Sequence, residues 1–153
     1  MSTSEQWHKF ETLPTDIHER VWQKLPAWLA QQGVLLAYLF GSLAQGGPAN
    51  DVDIALLMPG EQPAYPLRHQ IAAWLDIQRV DVVDLRLAAP VLRFEIISTG
   101  NLLYAKSENG RHEFEMSVLR EYKDTAYLRR RQEQMLRERM AAWSSNEKAS
   151  PSA

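Results

Sequence analysis

The sequence contains no cysteine, has little net charge and lacks a long apolar run. Without cysteine it forms no disulfide and no thiolate metal site, which fits a cytoplasmic setting. A formal net charge of −2 gives no overall attraction to nucleic acid or to an anionic membrane. Residues 25–50 carry no charged side chain, but Pro26, Gln31, Gln32 and Gly33 interrupt them. No apolar block therefore reaches the roughly 20 residues of a membrane-spanning helix, and we expect a cytoplasmic protein that contacts no membrane.

The composition is that of one globular domain. Of the 153 residues, 45% are apolar and 24% are charged, which is typical of a chain with an ordinary core. Helical and strand patterns alternate, which predicts an α/β or α+β fold with a small mixed β-sheet flanked by helices. We expect the domain at residues 14–143, a flexible N-terminus at 1–13 and a disordered tail at 144–153.

Apolar spacing and turn residues predict the individual elements. A first helix follows Thr15, and Pro26 either ends it or begins a second short helix. Four short runs rich in apolar and β-branched residues predict strands, and three segments with helical spacing predict further helices. The strands are expected at 34–40, 50–58, 79–85 and 102–105, and the helices at 66–78, 89–98 and about 111–143.

A glycine-rich segment between the first two strands carries the first chemical signal. Gly41 allows a ligand to approach the backbone closely, and Ser42 would open a helical turn whose free N–H groups suit phosphate. Asp51 and Asp53 are two residues apart, so on a strand they share one face. Two carboxylates on one face suit a hard divalent cation such as Mg²⁺, but an isolated pair more often only begins a strand near a turn.

The third strand offers a third carboxylate. Asp81 stands among valines, where a charge is costly unless it is paired or bound to metal, although a solvent-facing position is also compatible with the pattern. Asp84 competes for the same role, but its odd offset from Asp81 places it on the opposite face. The choice between the two stays open at this point.

The last predicted helix is charged on most of its surface. Arg129, Arg130 and Arg131 alternate with acidic residues further along, which is typical of a solvated face rather than a nucleic-acid site. We therefore expect no direct binding of nucleic acid. If the helix extends beyond the domain, Met135, Leu136 and Met140 are candidate contacts for a partner.

Together these motifs resemble the minimal nucleotidyltransferases of the DNA polymerase beta superfamily, and most of all the MntA-type antitoxins that pair with HEPN-domain toxins (HepT). The resemblance covers about residues 14 to 140. It rests on Leu39-Phe40-Gly41-Ser42 with Ala44, Gly46 and Asp51-Val52-Asp53-Ile54, on Val80-Asp81-Val82-Val83-Asp84-Leu85-Arg86, and on Leu102-Leu103-Tyr104.

The resemblance implies an activity, cofactors and a partner. It implies that Gly41 and Ser42 bind the phosphates of ATP, and that Asp51, Asp53 and Asp81 bind two Mg²⁺ ions and are the catalytic residues. It also implies that the chain is an antitoxin that transfers AMP from ATP to a tyrosine of a cognate HEPN ribonuclease toxin and so neutralises it. The alternatives are an antitoxin that acts by complex formation alone and a small-molecule nucleotidyltransferase, for example one acting on aminoglycosides.

Two features depart from the pattern that the resemblance leads us to expect. Asn50 stands where the family usually has Ser, and the loop between Ser42 and Asp51 holds only eight residues, which is shorter than expected. A shorter loop either tightens the phosphate site or shifts Ser42 relative to the metals. Since all three carboxylates are present, we expect an active enzyme.

Overall fold

The computed structural model describes residues 12–149 and contains, in that part of the chain, five helices and four strands. The strands lie between the first helix and the last two. In chain order the elements are α1 (Ile17–Gln31), β1 (Leu36–Phe40), β2 (Val52–Leu57), α2 (Leu67–Leu75), β3 (Val80–Asp84), α3 (Pro90–Thr99), β4 (Asn101–Ala105), α4 (Glu108–Asp124) and α5 (Ala126–Ala149). All four predicted strands and both middle helices are present, and the predicted α/β class with a mixed sheet is confirmed.

The sheet has the order β3-β2-β1-β4. β1 is antiparallel to both β2 and β4, whereas β2 and β3 are parallel. The last residue of β1 therefore lies at the same end of the sheet as the first residues of the other three strands. At this end Phe40 pairs with Asp53, Asp53 with Asp81, and Leu39 with Asn101.

Helices cover both faces of the sheet, so its strands are almost continuously apolar. On one face α1 and α2 pack against alternate residues of β1 and β2, among them Leu39, Ile54 and Leu56. On the other face the opposite set, including Tyr38 and Ala55, packs against α3 and α4. The Tyr38 hydroxyl donates a hydrogen bond of 2.7 Å to Glu115 and ties β1 to α4.

Pro26 lies inside α1, so neither predicted alternative for this residue is right. The helix continues from Ile17 to Gln31 because Val21, Leu25 and Leu29 are fully buried on one face. This burial outweighs the hydrogen bond that proline removes from the helix interior. The helix follows Thr15 as predicted, and it begins after Asp16 without a side-chain capping bond.

Between Glu108 and Ala149 the chain forms two helices rather than the single predicted one, and Thr125 separates them. Helix α5 extends through residues 144–149 of the predicted disordered tail. At the other end of the chain Leu13, predicted to be flexible, packs against the core and donates a hydrogen bond of 3.1 Å to the Ala49 carbonyl. The remaining terminal residues of those two predictions, 1–11 and 150–153, lie outside the described part. None of the helices between residues 12 and 149 is long and apolar enough to cross a membrane.

Candidate active site

Three carboxylates meet at one end of the sheet. Asp53 on β2 lies directly beside Asp81 on β3, and Asp51 precedes Asp53 by two residues. Burial, together with the charges of Asp81 and Asp51, raises the pKa of Asp53 from 3.8 to about 6. Within residues 12–149, no Lys, Arg or His forms an ion pair with any of the three. Within that part of the chain, the site therefore concentrates negative charge without an ion-paired cation to balance it.

Gly41 adjoins this cluster at the end of β1. Its φ of +76° lies in the region that L-residues with a side chain rarely adopt. A Cβ added at Gly41 would collide with Oδ2 of Asp53 and would lie 3.3 Å from its Cγ. The sheet end therefore accepts only glycine at this position while the Asp53 side chain keeps its present orientation.

Residues 41–50, which we call the glycine loop, connect β1 to β2 in two successive turns. The N–H of Gln45 donates to Ser42 O and that of Gly46 donates to Leu43 O, each at 3.2 Å. The predicted helical turn after Ser42 is thus a pair of tight turns and not the start of a helix. The backbone N–H groups of Ser42, Leu43 and Ala44 have no acceptor in the described part of the chain, so they are free to bind an anion.

The structure separates the two carboxylates of β3. Asp84 accepts hydrogen bonds from the N–H groups of Arg86 at 3.0 Å and Ala64 at 3.4 Å, so its oxygens stabilise the turn that follows the strand. Asp81 lies at the opposite end of β3, next to Asp53, and is exposed. Asp81 rather than Asp84 therefore belongs to the cluster, and the roles of these residues stay a prediction.

The donor set of the cluster fits Mg²⁺, which prefers carboxylate oxygens together with substrate phosphates. Within residues 12–149, however, no three His, Asp or Glu side chains are arranged so that they could hold a metal ion without moving. Asp53 instead directs Oδ2 toward Gly41. Because three carboxylates without a cation repel one another, we expect side-chain rotation on binding of metal and nucleotide.

One further polar residue at this sheet end was not predicted from the sequence. Asn101, the first residue of β4, donates a hydrogen bond of 3.0 Å from Nδ2 to the Ala44 carbonyl in the glycine loop. It lies on the strand beside Gly41 only because β4 pairs with β1, and this pairing could not be deduced from spacing along the chain. Its position 57 residues from Ala44 left it outside every local motif.

The family assignment agrees with this geometry. The sequence model of the family described as "Polymerase beta, Nucleotidyltransferase" matches residues 23–109, which include the glycine loop and all three carboxylates. The chain belongs to this nucleotidyltransferase family. A comparison with curated protein sequences gives no significant match.

The chain is similar to solved antitoxin structures. A chain in a mutant MntA–HpeT toxin–antitoxin crystal structure is 28% identical, with a TM-score of 0.61 over 74% of this chain and 93% of that one. A chain in a toxin–antitoxin structure with AMP-PNP is 26% identical, with a TM-score of 0.61 over 80% and 98%. A chain in the complex of a tri-AMPylated Shewanella oneidensis HEPN toxin with its MNT antitoxin is 27% identical, with a TM-score of 0.54 over 71% and 84%.

Proposed function

We propose that the protein is an antitoxin that transfers AMP from ATP to a tyrosine of a cognate HEPN ribonuclease toxin. The observation that carries the proposal is the cluster of Asp51, Asp53 and Asp81, which has no ion pair within residues 12–149, beside a loop whose N–H groups at 42–44 have no acceptor in that part of the chain. Clustered carboxylates suit Mg²⁺, and free backbone N–H groups suit the phosphates of ATP. The similar structures that contain AMP-PNP and an AMPylated HEPN toxin support the nucleotide and the acceptor.

The residues divide the work between phosphate binding and metal binding. Ser42 and the free N–H groups of the glycine loop would bind the β- and γ-phosphates, and Asp51, Asp53 and Asp81 would hold two Mg²⁺ ions. When bound, Mg²⁺ ions neutralise phosphate charge and favour the ionised form of an attacking hydroxyl. The tyrosine oxygen forms a bond to the α-phosphorus, the bond from that phosphorus to the bridging oxygen breaks, and pyrophosphate leaves. Asp81, exposed at the edge of the cluster, accepts the hydroxyl proton or passes it to solvent.

A surface for the toxin lies on α5. Every described side chain from residue 130 to 148 is exposed, so the helix projects from the domain. Five large apolar side chains form a stripe along it, which we call the α5 stripe, and each is at least 50% exposed. They are Leu128, Met135, Leu136, Met140 and Trp143. Contiguous exposed apolar groups of this kind mark sites of protein association.

The charge of α5 indicates the kind of surface that it fits. The helix carries six Arg or Lys residues and three Glu residues, although the whole chain has a net charge of −2. A second copy of α5 would repel it, because both helices are basic. The complementary surface is an apolar groove with an acidic rim, and we assign it to the toxin.

The proposal is tested by mass spectrometry of the cognate toxin after incubation with the protein, ATP and Mg²⁺. We expect an adduct of one or more AMP groups on a tyrosine, and none with Asp51→Ala/Asp53→Ala. Asp76→Asn is the matched control, because Asp76 is exposed, lies outside the cluster and has a φ of 55° that asparagine tolerates. An adduct that survives the double substitution, or no adduct with the native chain, contradicts the proposal.

A second candidate function is neutralisation by complex formation alone. The eight-residue loop between Ser42 and Asp51 and the absence of a ready metal-binding group within residues 12–149 favour it. On this alternative, Asp51→Ala/Asp53→Ala would protect cells from the toxin as well as the native chain does. Loss of protection in the double variant, with the complex still formed, would instead favour catalysis.

A further inference from the structure

We infer that Asn101 is a positioning residue that fixes the glycine loop in the geometry required for nucleotide binding. The inference rests on the proposed function, because it assigns a role in the same site to a residue whose side chain, within residues 12–149, forms its hydrogen bond with the backbone of the glycine loop and not with a carboxylate. The effect on nucleotide therefore passes through Ala44.

The start of β4 is held firmly against the end of β1. Asn101 pairs with Leu39, two residues before Gly41. Gly100 allows this close approach, since a Cβ there would lie 3.0 Å from Leu39 O and 2.5 Å from Ile96 O. The backbone of Asn101 is thus fixed against β1. Its partly buried side-chain hydrogen bond to Ala44 O restrains the loop relative to that backbone.

The loop has few other attachments near Ser42. Leu43 is buried, and at the far end Ala49 is buried and accepts the bond from Leu13. Between them residues 45–48 are exposed, and a Cβ on Gly46 or Gly47 would meet nothing within 4 Å. Among the hydrogen bonds that join the loop to the rest of residues 12–149, the Asn101 bond therefore lies closest to the N–H groups of residues 42–44.

The chemistry of the bond requires a donor at position 101. The Ala44 carbonyl accepts, and the asparagine amide donates through Nδ2. An aspartate has the same shape but presents an oxygen to that carbonyl, so Asn101→Asp replaces attraction with repulsion at almost constant volume. Asn101→Ala removes the bond without adding a charge, and agreement between the two variants separates the lost bond from the new charge.

Two readouts test the inference, and Asn109→Ala, at an exposed asparagine in the first turn of α4, is the control. The first is hydrogen exchange of the Gln45 and Gly46 amides in the nucleotide-free protein, which are protected by the turns of the loop. The second is the Kd of ATP with Mg²⁺, measured by calorimetry. We expect both Asn101 variants to exchange these amides several times faster and to bind ATP about 3- to 10-fold more weakly. The control should match the native chain in both.

Each outcome decides between a positioning role and a structural one. Unchanged exchange in both variants overturns the inference, and so does faster exchange with an unchanged Kd. The Kd is measured at a temperature at which circular dichroism shows each variant to be folded. Weaker ATP binding is then not explained by unfolding, even if the Tm of the variant is lower. If the native chain binds no ATP, the proposed function fails together with the role of Asn101 in nucleotide binding, whereas the exchange data still report whether Asn101 restrains the loop.

Discussion

At the scale of single residues, Asp53 shows what the proposed site costs the fold. Its carboxylate is partly buried and faces the charges of Asp81 and Asp51, with no ion pair inside the described chain. We predict that Asp53→Asn raises the free energy of unfolding of the metal-free protein by about 1 kcal/mol, or ~3 °C in Tm, because solvent screens part of the repulsion. The same substitution should lower AMP transfer by about 100-fold or more. Thermal unfolding in EDTA and a transfer assay check both effects.

Asp76→Asn serves as the control for stability, since it removes a carboxylate of the same type from an exposed position. Its Tm should change little. A lower Tm for Asp53→Asn would contradict the prediction, because it would mean that the ionised carboxylate stabilises the fold. An unchanged rate of transfer would remove Asp53 from the catalytic residues.

The pKa of Asp53 also predicts a pH dependence. Since the pKa rises from 3.8 to about 6 on folding, the folded chain binds this proton more tightly than the unfolded chain between those values. Stability from this group is therefore present at low pH and is lost as the pH rises through about 6. We predict that the stability advantage of Asp53→Asn over the native chain is small at pH 4 and complete at pH 7.

Urea unfolding of both proteins in EDTA across this pH range measures the difference. Groups such as Asp16, whose pKa is lowered by Arg20, affect both proteins equally and cancel. An advantage that is constant from pH 4 to pH 7 would contradict the assigned shift.

The residues of the candidate site divide by how far along the chain their contacts reach. Asp51 and Asp53 follow from strand alternation, because period two is a local property. The position of Asp81 beside Asp53 depends on the parallel register of β2 and β3, which no local pattern reveals. Asp84 has a different role, because it accepts hydrogen bonds from two backbone N–H groups at the other end of β3. Asn101 was not predicted, because its hydrogen bond to the glycine loop spans 57 residues.

At the scale of elements, the predicted strands are confirmed because β1 is a continuous apolar run and the other three strands contribute apolar side chains to the core on both faces of the sheet. Two departures concern helices, since α1 continues through Pro26 and Thr125 divides the last predicted helix. The break at Thr125 involves neither Gly nor Pro. Thr125 Oγ1 donates to Glu121 O at 2.9 Å, and Arg129 donates to Tyr122 O at 2.7 Å, so side chains satisfy the carbonyls at the end of α4.

Pro26 gives the element-scale prediction. It lies in the interior of α1, where it removes the hydrogen bond to the carbonyl of Trp22 and crowds the preceding turn. We predict that Pro26→Ala stabilises the protein by about 1–2 kcal/mol, less than the full cost of proline because the helix has adapted to it. Urea unfolding measures the change. Ala27→Pro is the converse substitution in the same helix and should be strongly destabilising, and a less stable Pro26→Ala would show that the proline ring packs favourably.

At the scale of the whole molecule, the proposed catalytic site and the proposed partner surface lie on separate parts of the chain. The carboxylates and the glycine loop are set by the sheet, whereas the α5 stripe lies on a helix whose described side chains from 130 onward are exposed. A helix that packs against nothing is only marginally stable in water, and its exposed apolar side chains are unfavourably hydrated. We therefore expect another surface to cover the apolar face of α5. Substitutions on α5 should therefore separate partner binding from nucleotide binding.

We predict that Leu136→Glu/Met140→Glu weakens the complex with the cognate toxin at least about 10-fold, because two charges enter an apolar contact and face its acidic rim. The Kd of ATP should stay unchanged, since both side chains are on α5 and are exposed. Ala141→Glu places one such charge on the other side of the helix and should leave toxin binding intact. Calorimetry with ATP and with the toxin measures both affinities for all three proteins. If the double variant binds the toxin as tightly as the native chain, the α5 stripe is not the toxin surface. If Ala141→Glu loses as much toxin affinity as the double variant, the charge of α5 and not its apolar face determines binding.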